Sequence, residues 1–184
     1  MKIQFFHNLV QQGERMNTLL IVLRLLHILG GVFWVGSSLM FGFFITPTVA
    51  ATAEAGQKFL DHIVNKARVP VAITTAALLT VLAGGSMYWI DSGGLTSEWI
   101  GTGPGVGFGV GGILALTGLV FGLLIGKNVG TLAKMAAEVK GKPTPEQLTQ
   151  IQKAQKGLGI AGPVSTIALV LALACMATAR YWRF

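Results

Sequence analysis

Leu25–Ala53 reads LLHILGGVFWVGSSLMFGFFITPTVAATA and contains no Asp, Glu, Lys or Arg. An α-helix crosses a hydrocarbon core of about 30 Å in roughly 20 residues, and this run exceeds that length. Three more stretches free of those four residue types follow: Val69–Ile90, Trp99–Gly126 and Gly157–Ala179. Each is again long enough to span. Their apolar character is continuous, whereas membrane β-strands alternate over about ten residues. The sequence therefore predicts an all-α, four-helix transmembrane bundle forming a single membrane domain. The expected spans are about 18–46, 69–90, 105–129 and 158–181.

The whole chain agrees with this fold class. Of its 184 residues, 52% are hydrophobic and only 11% charged, against about 25% charged in a soluble domain. Mean hydropathy is +0.65. Cys175 is the sole cysteine, which excludes an intrachain disulfide and any Cys-rich metal motif. Residues 1–15 lack an uninterrupted apolar core followed by small residues, so no removable signal is expected, and Met16 is a second candidate start. Ile3, Phe6, Leu9 and Val10 fall at helical spacing, which suits an interfacial segment.

Charge sets the expected orientation. Four spans place loops 52–68 and 127–156 on one side, with Lys58, Lys66, Arg68, Lys127, Lys134, Lys140, Lys142, Lys153 and Lys156. The other side has Lys2, Arg15, Arg180 and Arg183, and its loop, residues 91–104, carries Asp91 and Glu98 but no cation. Basic loops stay in the cytoplasm, which predicts a multi-pass protein of the cytoplasmic membrane with both termini outside. The net charge of +7 is matched by anionic headgroups of the lipid bilayer. No pattern for nucleic-acid binding accompanies it, so no nucleic-acid partner is expected.

Within the cytoplasmic connection, Thr144 is a helix N-cap candidate, Pro145 suits the first helical position and Glu146 the first turn. The third helix is expected to run to about Val139, break at Gly141–Pro143, and return as a helix leading into the fourth span. In the 52–68 loop, Phe59, Leu60, Ile63 and Val64 are spaced for a further helix.

Chemistry is concentrated in the first span. At about 100° per residue, Leu20, Arg24, His27, Gly31, Trp34, Ser38, Gly42 and Ile45 form one stripe. A helix starting near Thr18 places His27 about 13 Å from its outer end, within hydrocarbon. An ionisable group at that depth faces protein, water or a ligand. Two readings stand side by side. His27 is a metal or haem ligand, with Arg24 and the outer-boundary Arg180 and Arg183 available to propionates. Alternatively it hydrogen-bonds a neighbouring helix while Arg24 reaches the headgroups. Gly31 leaves a concavity for a planar ring or for another helix.

His62 lies on the opposite side of the membrane, about 25 Å away or more, and cannot share a metal with His27. Met87, Cys175 and Met176 in the outer half are the remaining soft ligands, suited to Cu(I), and Met with His also holds haem iron. In the third span, Gly107, Gly111, Gly118, Gly122 and Gly126 are spaced for close helix contact. GFGVGG and GLLIGKN match nucleotide-binding letters without the strand–turn–helix context or the spacing. No hydrolytic constellation is present, and no span holds an Asp or Glu for a proton path.

The string LRLLHILGGVFWVGSSLMFGFFITPTV, with Arg24, His27, Gly31, Trp34, Val35 and Gly36, resembles the first helix of copper-resistance protein D-like membrane proteins. It is also similar to that of HemJ-type protoporphyrinogen oxidases. The resemblance implies a small helical bundle in which His27 holds b-type haem, with a redox or electron-transfer role, or takes part in copper binding or transport. The chain departs from the oxidase pattern in lacking an Asn- and Glu-containing motif after its last span and a second intramembrane histidine. The glycine spacing, with no acid/base set, also fits a non-catalytic subunit of a larger membrane complex or a homo-oligomer.

Overall fold

The computed structural model describes residues 2–139 and 141–184, with side chains from Gly13 onward apart from Ala53, Ser97 and Lys140. Most of the described residues are helical, and none lies in a strand. Four helices are long and apolar enough to cross a membrane: Gly13–Ala51, Val69–Asp91, Gly103–Glu138 and Pro145–Tyr181. The protein is thus an all-α, multi-pass integral membrane bundle. In the stretch expected to be interfacial, the backbone continues the first helix without a break. The side chains of Ile3, Phe6, Leu9 and Val10 lie outside the described residues.

Helix α1 (Lys2–Met40) passes through a π-helical turn, Phe41–Ile45, into α2 (Thr46–Ala51). Pro47 in the first turn of α2 explains the widened turn. Its ring crowds the carbonyl four residues back and it donates no hydrogen bond. The Thr46 amide instead bonds Phe41, five residues earlier. After Thr52 the chain enters α3 (Ala53–Asp61) and a second π turn, His62–Lys66, confirming a helical loop. Arg68 then adopts a left-handed φ of 51°, and Pro70 opens α4 (Val69–Asp91). The short α5 (Ser97–Ile100) leads into α6 (Gly103–Glu138).

Helix α7 (Pro145–Thr178) starts where its capping residues require. Thr144 Oγ1 accepts from the Gln147 amide at 3.3 Å, and Gln147 Oε1 accepts from the Thr144 amide at 3.0 Å. This reciprocal capping box satisfies two backbone donors that a helix end leaves unpaired. The Glu146 carboxyl is held below its ordinary pKa by its own backbone N–H and by the Thr144 hydroxyl. Gly141, at φ 104°, turns the chain between α6 and α7.

The four long helices form a ring in which α1 packs chiefly on α4 and α6 chiefly on α7, with α4–α6 and α1–α7 contacts between the pairs. Without a hydrophobic force between helices in lipid, close packing and interhelical hydrogen bonds hold them together. On α6, Gly107 lies against Ala179, Gly111 against Met176 and Ala172, and Gly118 against Leu169. Ser165 donates to the Gly118 carbonyl at 3.0 Å across the same buried seam. Gly122 and Gly126, expected to make close helix contact, face open space. Each step of four residues over-rotates a helix by about 40°, which carries them off the contact face.

Trp34 is only 3% exposed and occupies the centre of the bundle with Ala77 and Leu169; Ile73, Val81 and Leu119 pack around it. Replacing it with Ala removes the largest side chain in that cluster and should cost about 3 kcal/mol, the lower end for an aromatic truncation. A lowered thermal midpoint of the solubilised protein, largely restored in Trp34→Phe, checks this. At the α7 cap, Thr144→Ala should cost about 1 kcal/mol locally. Faster amide exchange at Glu146 and Gln147 would report the loss. The depressed Glu146 pKa adds stability above its unfolded value. That contribution should disappear as pH falls from about 4.5 through the lower folded value, seen as faster exchange at the same end.

Candidate functional site

The α1–α4 seam positions the only histidine within the spans. Gly30 sits against Thr80 and Ala76, where an added Cβ would lie 2.6 Å from Thr80 Oγ1 and 3.1 Å from the Ala76 carbonyl. Gly31 stands 3.5 Å, by the same measure, from the Thr80 methyl. These absent side chains let α1 approach the α4 backbone. One turn earlier, the His27 imidazole rests on Gly84, where a Cβ would lie 2.7 Å from Cε1 and 2.8 Å from Nδ1. Thus Gly84 leaves the space that the ring fills.

The ring is half-buried and turned toward protein. Its Nδ1 lies 2.8 Å from the Thr80 carbonyl oxygen. A carbonyl only accepts, so Nδ1 carries the proton and donates it. In the neutral imidazole the lone pair then belongs to Nε2. Nε2 makes no protein hydrogen bond among the described residues. An imidazole fixed at one nitrogen by a backbone carbonyl is the arrangement by which proteins orient metal-ligating histidines. It is equally a direct link between two membrane helices.

The other candidates are distributed around the bundle. Arg24, one turn from His27, is exposed, and the ion pairs among the described residues, Lys58–Glu54 and Lys134–Glu138, do not include it. The concavity beside Gly31 faces the Thr80 methyl, so another helix is admitted there. Trp34 fills the core rather than lining an open pocket. Met176 packs into the α6–α7 seam against Gly111. Met87 and Cys175 are half-buried on α4 and α7. Arg180 is exposed in the 3-10 turn Ala179–Tyr181, which packs on α6. Among the described residues, no three His, Cys, Asp or Glu side chains are grouped to hold a metal ion.

Sequence reasoning missed Thr80 and Gly84. The double glycine Gly84-Gly85 inside an apolar span was the available signal for a close approach. Thr80 contributes its main-chain oxygen, for which side-chain identity gives no signal. No sequence family, curated protein or solved structure matches this chain, so its chemistry is read from its own residues.

The two adjacent glycines make opposite predictions. Gly84→Ala should displace the imidazole and cost about 1–3 kcal/mol through overpacking. Gly85, with nothing within 4 Å of an added Cβ, should accept Ala without loss, and could gain up to about 1 kcal/mol of helix propensity. Thermal midpoints, together with the nitrogen NMR signal of the hydrogen-bonded His27 Nδ1–H, distinguish the two. Equal behaviour of the two variants would refute the seating of His27 on Gly84.

Proposed function

We propose that this membrane protein binds b-type haem through His27 and uses it in electron transfer. The observation carrying this reading is the 2.8 Å contact between His27 Nδ1 and the Thr80 carbonyl, which leaves Nε2 as the basic nitrogen. In this reading Nε2 is the sole protein ligand. Thr80 and Gly84 hold the ring at a set angle, while Arg24 lies within one helical turn to pair with a propionate. Bound haem would supply a one-electron couple whose potential follows from its axial ligand and its apolar surroundings. The resemblance of the α1 string to copper-resistance D-like and HemJ-type proteins supports the same residue. The excess of cations in loops 52–68 and 127–156 supports a cytoplasmic-membrane protein with both termini outside.

Copper binding would require soft ligands beside the same nitrogen. Met176 is engaged in the α6–α7 seam, which favours haem over copper. A second reading, a non-catalytic subunit of a larger membrane complex, draws support from α1. Leu25, Leu29, Val32 and Phe33 leave most of one long apolar face uncovered by this chain. In that case the His27 bond is purely a helix-to-helix link.

The deciding experiment is the absorption spectrum of protein purified from haem-supplied cells. A Soret band should be present in the wild type, disappear in His27→Ala and weaken in Gly84→Ala. A colourless wild-type protein, or a band that survives His27→Ala, rejects the haem assignment. Native mass spectrometry of gently solubilised membranes would then report whether the chain travels with partner subunits.

A further inference from the structure

We propose that the segment Ala53–Lys66, α3 with its π turn, is a surface helix that recognises the anionic phospholipid headgroups of the bilayer. The segment joins two spanning helices at one end of the bundle, which keeps it beside the membrane surface. It is folded tightly onto α2, for a Cβ at Gly56 would lie 2.5 Å from both the Val49 carbonyl and Thr52 Oγ1. Gly56, Leu60, Ile63 and Val64, spaced as one helix face, are buried or half-buried. Phe59 lies on the adjoining flank and remains 51% exposed. An amphipathic helix with an uncovered aromatic ring and nearby cations is suited to the headgroup boundary.

The charges select the lipid. Lys58 is paired with Glu54 at 2.7 Å, and the Asp61 carboxylate accepts from Asn65 at 2.6 Å. Neither Lys66 nor Arg68 has an ion-pair partner among the described residues. Both stand where the chain enters α4, and both are exposed. Lys127 and Lys156 adjoin the spans at the same end of the bundle, as the contact between Asn128 and Gly157 establishes for α6 and α7. Two exposed cations in the same connection as an exposed phenyl ring complement a surface that is negative outside and apolar beneath.

The test is hydrogen exchange of the full chain in nanodiscs of phosphatidylcholine alone, or with about one third phosphatidylglycerol. Each surface Lys or Arg strengthens attachment to an anionic surface roughly fivefold, so exchange of amides 54–66 should slow by up to about thirtyfold in the anionic discs. The variant Lys66→Gln/Arg68→Asn, in which Asn tolerates the left-handed backbone at position 68, should return the rate to that in neutral discs. Raising the ionic strength should do the same to the wild type, independently of whether the variant folds well. Inorganic phosphate added to neutral discs should leave exchange unchanged. Equal rates in the two lipids, a lipid dependence that survives both the variant and salt, or protection by phosphate alone would each overturn the proposal.

Discussion

The close approach of α1 to the backbone of α4 is the constraint on which the candidate site depends. In hydrocarbon, packing two helices gains nothing from excluding water, so contact has to be made through short distances and satisfied polar groups. Gly30 and Gly84 provide the short distance, and the His27–Thr80 bond provides the polar link. The two features are interdependent. Without the space at Gly84 the Nδ1–Cε1 edge of the ring could not approach α4, and without the ring that space would be a void beside a backbone carbonyl.

The same economy recurs in the α6–α7 pair with different chemistry. There the close positions are Gly107, Gly111 and Gly118, and the cross-helix polar bond comes from Ser165 to a main-chain oxygen. Tyr88 joins the pairs, donating to the Gly105 carbonyl at 3.1 Å and standing edge-on to Trp99. In each case a side chain on one helix uses a carbonyl of another, a favourable place for a polar side chain in lipid. Trp34 then fills the centre between the pairs. It lies two turns of α1 from His27, on the same α1–α4 seam.

The ends of the bundle follow another rule, because their backbone groups have to be closed by local sequence. Pro47 and the π turn before it, the left-handed Arg68 before α4, and the Thr144–Gln147 capping box each end or restart a helix. These devices shape the segments that extend from the spans. They also fold α3 back onto α2 in the connection between the first two spans.

Several features were legible in the sequence because they depend on residues consecutive along the chain. The four spans follow from uninterrupted apolar length, and the start of α7 follows from Thr144, Pro145 and Glu146 in order. That His27 falls inside the first span is likewise a matter of counting residues. Its partner could not be counted in that way. The rotation and axial offset of α1 against α4 bring it to Thr80 and Gly84, 53 residues away in the hydrogen-bonded case. The same geometry seats Trp34 in the core, while helical over-rotation removes Gly122 and Gly126 from the α6–α7 seam. The sequence by itself determined which segments enter the membrane, since transfer into lipid depends on local composition. Only the tertiary structure decided which faces meet, because a carbonyl acceptor is common to every residue and acquires a role solely from the neighbour set against it.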